Sequence, residues 1–190
     1  MKIPRHNSMK VIYVVTMGLL STILLLGQIG IAALPNIEPV TLLVIIYTLV
    51  YGKKVFYIIY TFVFMEGLVY GFGIWWVSYL YIWSILALIV LLMKKNESIV
   101  IWTVLAGAYG LCFGFLCAFP YFISGGPGAG LAYWIAGIPY DITHCIGNVV
   151  ITAILFKPVY KVLKNLHNSQ MVYIRGTGKL PLDKSWENSL

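Results

Sequence analysis

Asp141, His144 and Asn148 recur at i, i+3 and i+7, a spacing that puts an acceptor, an imidazole and an amide on one face of a helix. The stretch opens as Gly137-Ile-Pro-Tyr-Asp141, and Pro139 suits a first helical turn, where its missing N–H costs nothing. Beyond Asn148 the chain is apolar up to Lys157, so the polar face sits on a helix long enough to enter a bilayer. A charge at bilayer depth costs roughly 2.5–3.5 kcal/mol on insertion scales, so such residues face a cavity or pair with one another. Two readings follow. In one, Asp141 and His144 satisfy each other and only orient helices. In the other they line a binding site open to the outside, with Asn148 at its floor.

The rest of the chain has to position that face. With 61% hydrophobic and 10% charged residues among 190, it lies outside the composition of soluble domains and reads as an all-α, multi-pass membrane protein. The formal charge of +7 does not point to nucleic acid, because the basic residues fall in clusters between apolar runs, as topology determinants do. Cys112, Cys117 and Cys145 sit inside apolar segments with neither disulfide nor zinc spacing.

The apolar runs predict helices over 11–33, 39–52, 55–70, 74–93, 98–119 and 139–163, forming a single domain over 1–164 with a loosely ordered tail over 165–190. The first run is too long for a secretory signal and reads as an uncleaved span. The second is short, so the proline-bounded loop before it is expected to dip into the membrane and point Asn36 and Glu38 into a cavity. Six crossings put all 13 Lys and Arg on one side, with the tail and the N-terminus, and that side is cytoplasmic by the positive-inside rule. The localisation expected is the bacterial cell membrane. Pro120 is expected to end the fifth helix, and the glycine-rich 124–130 segment to form a mobile lid outside.

Further candidates gather at the same outer end. Glu66 is the single charge of the third helix and a potential fourth member of the site. Trp76, Tyr79 and Trp83 share a helical face that runs deeper than an interfacial aromatic belt and could stack on a flat heterocycle. Trp134 and Tyr140 stand near the mouth of the last helix. Gly110, Gly114 and Ala118, spaced by four, allow close helix approach, as do Gly18 and Thr22 on the first helix, with Ser21 beside them. Those three serve either internal packing or the docking of a partner helix. We find no catalytic arrangement, no metal-ligand set, no cofactor motif and no nucleotide-binding motif, so uphill transport would need energy from another subunit.

As a set, the small-residue site at Gly18 and Thr22, the Leu34-Pro-Asn-Ile-Glu-Pro39 loop with its short following helix, and Gly137-Ile-Pro-Tyr-Asp141 resemble the substrate-binding S component of energy-coupling factor (ECF) vitamin transporters. The resemblance covers residues 10–164, and it departs from the family in having Gly18 and Thr22 where the helix 1 motif usually has alanines. It implies a subunit that takes up a vitamin-like heterocycle from outside and associates with a transmembrane coupling protein and two ATPases. The ligand residues it implies are Asn36, Glu38, Trp76, Tyr79, Trp83, Asp141, His144 and Asn148. Two other classes stand beside it: a cell-wall scaffold of the rod-shape MreD kind, which has similar size and helix count, and an intramembrane hydrolase using Asp141, His144 or Glu66.

Overall fold

The structure, a computed structural model, describes residues 5–30 and 37–175, with side chains over 11–30 and 37–172. Every element among the described residues is helical: α1 (Arg5–Gly30), α2 (Val40–Tyr51), a 3-10 turn (Gly52–Lys54), α3 (Val55–Tyr70), α4 (Ile74–Met93) and α5 (Ile99–Arg175). Four stretches are long and apolar enough to cross a membrane: Val11–Gly30, Val40–Tyr70, Ile74–Met93 and Ile99–Val172. The six separate spans read from the sequence are therefore not what length delineates. At about 1.5 Å per residue, α2 rises only about 18 Å and is by itself shorter than a hydrocarbon core of about 30 Å, and after the Gly52–Lys54 turn α3 runs back in the opposite direction.

α5 holds the largest departure from expectation. The helix passes through Pro120 and the glycine-rich segment, and its 77 residues are broken at one point, Gly126, with φ 76° and ψ −178°. That backbone region is open essentially to glycine alone, and Pro127 behind it suits the first turn of the next helix. The segment expected to be a lid is thus the corner of a helical hairpin with arms 99–125 and 127–175. Tyr121 and Tyr133 stack across it at 4.1 Å with planes 16° apart. Pro139 lies within the second arm rather than at its start, and the arm runs on through Arg175, so residues 165–175 are helix and not loose tail.

Glycine lets the arms touch. A Cβ on Gly107 would come within 2.6 Å of Val149, and one on Gly110 within 2.8–3.0 Å of the backbone of His144 and Cys145. Gly114 faces Asp141 in the same antiparallel register. The spacing of Gly110 and Gly114 did signal close approach, with Gly107 as the third step.

Contacts across the helices fix their directions. α1 runs parallel to α3, with Ser21 bonded to the Ile58 carbonyl and Gln28 reaching Glu66. α4 is antiparallel to α3 through Trp76 to Val63 and Ser84 to Tyr60, and antiparallel to the first arm through Ser78 to Cys117 and Tyr109 to Ile82. α2 runs parallel to the second arm, from Thr41 at Asn148 to Tyr51 at His167. α2 is buried along nearly its whole length, from Val40 to Thr48, and is the centre of the packing.

Outward faces are apolar: Val14, Leu92 and Ile123 are 72%, 87% and 87% exposed. A soluble monomer rarely shows apolar surface on this scale, and the arrangement is compatible with embedding in a membrane. The described lysine side chains all lie at one end, in the 52–54 and 94–95 turns and at Lys157, Lys161 and Lys164. The opposite end holds Glu38, the 71–73 turn and the Gly126 corner.

Candidate functional site

At the lysine-free end, five helical segments deliver polar groups to one place. α1 supplies Gln28, whose amide makes long contacts of 3.4 Å to Glu66 Oε2 and 3.5 Å to the Tyr79 hydroxyl. Glu66 stands in the last turns of α3 and is fully buried. From α4, Tyr79 packs edge-on to Trp83 at 5.7 Å. From the first arm of α5, Phe113 touches both, at 6.3 Å and 5.5 Å, and meets the His144 ring of the second arm at 4.8 Å. One turn before His144, Asp141 accepts the Gly114 N–H on Oδ1 at 2.8 Å. Only glycine at 114 lets that carboxylate lie so close to the facing helix.

Several of these groups have no partner. Glu66 Oε1, Gln28 Oε1, Trp83 Nε1, Asp141 Oδ2 and both nitrogens of His144 are buried and make no hydrogen bond. Asp141 and His144 are 4% and 1% exposed, so water does not reach them freely. The mutual Asp141–His144 pair is absent: the imidazole bonds to nothing, and the carboxylate is turned to Gly114. Each buried polar group left unpaired costs about 1–3 kcal/mol, so groups of this kind are ordinarily satisfied by ordered water or by a ligand.

Glu38 stands just before α2 and is half-buried. Burial first, then repulsion from Glu66, pushes its carboxyl up from 4.5 to about 7. The folded chain therefore holds this proton more tightly than the unfolded chain, so Glu38 subtracts stability progressively as pH rises from about 4.5 through about 7. We expect purified wild-type protein to lose more thermal stability than Glu38→Gln between about pH 5 and about pH 8. Equal losses in the two proteins would show that Glu38 carries no such penalty.

Of the other residues singled out, Asn36 lies outside the described residues. Trp76 belongs to the α3 interface, with its Nε1–H donated to the Val63 carbonyl at 2.8 Å and its ring against Phe72. Asn148 donates to Thr41 Oγ1 at 3.2 Å and to the Ala106 carbonyl at 3.1 Å, tying α2 to both arms. Its amide protons are committed to the scaffold, so it holds the floor together rather than facing a ligand through them. Trp134 packs on Phe115 at 5.1 Å, and Tyr140 is 55% exposed, so both stand outside the cluster. On α1, Ser21 is buried against α3, whereas Thr22 is exposed and Gly18 half-exposed.

Three members escaped sequence reasoning. Gln28 had a signal, as a lone amide near the end of an apolar run. Phe113 and Thr41 had none, because one aromatic or one threonine in an apolar helix is ordinary. A groove of about 650 Å³ on the outer side of α3, lined by Lys53, Tyr57, Tyr60 and Phe64 among others, contains no acid or imidazole and lies toward the lysine end.

Comparison with family models, with characterised proteins and with solved structures finds no match. What the cluster does has to be read from its own chemistry.

Proposed function

We propose that this chain is the substrate-binding membrane subunit of an ECF-type importer and binds a small heterocyclic, vitamin-like molecule at the Glu66–Tyr79–Trp83–Phe113–His144–Asp141 cluster. The observation that carries the reading is the set of buried, partnerless donors and acceptors walled by three aromatic rings. A small polar ring compound would satisfy the former by hydrogen bonds and the latter by stacking.

In this reading the six helical rods, α1 to α4 and the two arms of α5, alternate in direction across the bilayer, with the short α2 completed by the loop before it dipping into the membrane. The lysine-bearing end and both termini lie in the cytoplasm, and the site opens outside. The exposed strip of α1 around Gly18 and Thr22 meets the transmembrane coupling subunit, and two ATPases supply the energy that no motif here provides. A scaffold would have no use for unpaired polar groups in its core. A hydrolase whose nucleophile is activated by His144 would hold a hydroxyl or thiol on that imidazole, and among the described residues none bonds to it.

Protein purified from its membrane in mild detergent is expected to retain a small molecule, identifiable by mass spectrometry of the denatured sample, and to co-purify with ATPase subunits. Recovery with cell-wall synthesis proteins and no small molecule would sink the proposal in favour of the scaffold.

A further inference from the structure

The charges around the cluster narrow the ligand class. Glu38, Glu66 and Asp141 approach from the loop before α2, from α3 and from the second arm of α5. Glu66 and Asp141 each keep one buried oxygen without a partner. Among the described residues no lysine or arginine stands at this end. The donors nearby are few and largely engaged: the Gln28 amide on Glu66 and Tyr79, and the Gly114 N–H on Asp141. An anionic ligand would meet carboxylates with no cation to offset them, at a depth where unpaired charge is costly.

The aromatic walls point the same way. Tyr79, Trp83 and Phe113 pack edge-on or tilted against one another within the cluster, and a ring face that a ligand reaches attracts a cation through its quadrupole. The two nitrogens of His144 allow one to accept from a ligand N–H. Trp83 Nε1–H is a free donor beside the N–H of His144, and it asks for an acceptor on the ligand.

We infer that the site takes a planar cation, a heteroaromatic or amidine-like group carrying positive charge on the edge that faces Glu66 and Asp141 and an acceptor on the side that faces Trp83. The inference rests on the binding-subunit reading above. In this inference the ligand is the counter-ion of the two carboxyls.

The test is a matched series of one-ring probes, benzamidine, benzamide and benzoate, titrated into detergent-purified full-length protein and read by tryptophan fluorescence. Benzamidine is expected to bind about tenfold tighter than benzamide, equivalent to about 1.4 kcal/mol, with benzoate weakest. Glu66→Gln and Asp141→Asn, which keep shape and hydrogen bonding, should each shrink that preference to less than about threefold without lowering the thermal midpoint. Benzamide or benzoate binding as tightly as benzamidine would overturn the cation assignment and leave the binding-subunit reading standing. Full preference surviving both substitutions would overturn it too, by removing the carboxyls from the explanation. If no probe binds, the molecule retained on purification decides: a cationic ring upholds the inference, a neutral or anionic one overturns it. The absence of any retained molecule overturns the parent reading with it.

Discussion

Gly110→Val is expected to prevent the two arms of α5 from closing. A Cβ at this position would stand 2.8 Å from the Cys145 nitrogen and 2.9 Å from the His144 carbonyl carbon. These are backbone atoms, which cannot swing aside as a side-chain tip can. Overpacking of a well-filled core typically costs 1–3 kcal/mol, and a β-branched residue against backbone belongs at or beyond the upper part of that range. The arms also carry Phe113, Asp141 and His144, so a wedge at 110 should disorder the binding cluster along with the fold. The measurement is the thermal midpoint and monodisperse yield in detergent. Gly18→Val is the control, because nothing lies within 4 Å of a Cβ there. Similar behaviour of the two variants would mean that the arms do not pack at this distance.

His144→Leu should have opposite effects on stability and on binding. The imidazole is 1% exposed and neither nitrogen has a partner. An apolar side chain of similar volume removes an unsatisfied polar group, which typically costs 1–3 kcal/mol when left buried. Ligand-free protein should therefore become more stable by about 1 kcal/mol. The same substitution removes a hydrogen-bonding group from the ligand, and Asp141→Ala removes an acceptor. Each should lower retention of the co-purified molecule by roughly 100-fold or more, about 2.7 kcal/mol, within the range for a buried hydrogen bond to a charged partner. Thermal unfolding and quantitative mass spectrometry of the retained ligand read the two effects separately. A variant that is less stable yet binds normally would assign His144 to the scaffold. This stability gain at the expense of binding is what separates a functional polar cluster from a structural one.

The sequence alone determined the apolar runs compatible with a membrane-embedded chain, the all-helical class, and the bounds of α2, α3 and α4 to within a residue or two. Apolar length and turn residues are local properties, and in a bilayer a span has few alternatives to helix. It also singled out Glu66, Tyr79, Trp83, Asp141 and His144, because ionisable and aromatic residues deep in apolar runs are conspicuous wherever they pack.

Tertiary structure decided the rest. Pro120 and the glycine-rich run resemble a helix end and a loop, but the second arm packs along the first, and a single φ-positive residue, Gly126, suffices to turn between them. Side-chain partners were illegible for the same reason: which group faces which depends on register between helices far apart in sequence. That register sent Asn148 to Thr41 and Ala106, 107 and 42 residues away, and Trp76 to Val63. It also brought Gln28 to Glu66 across 38 residues. Above all, it left Asp141 and His144 unpaired with each other although they stand one turn apart. Helical spacing could place them on one face, but only the close approach at Gly114 showed that the carboxylate turns to the opposite arm and leaves the imidazole for something else.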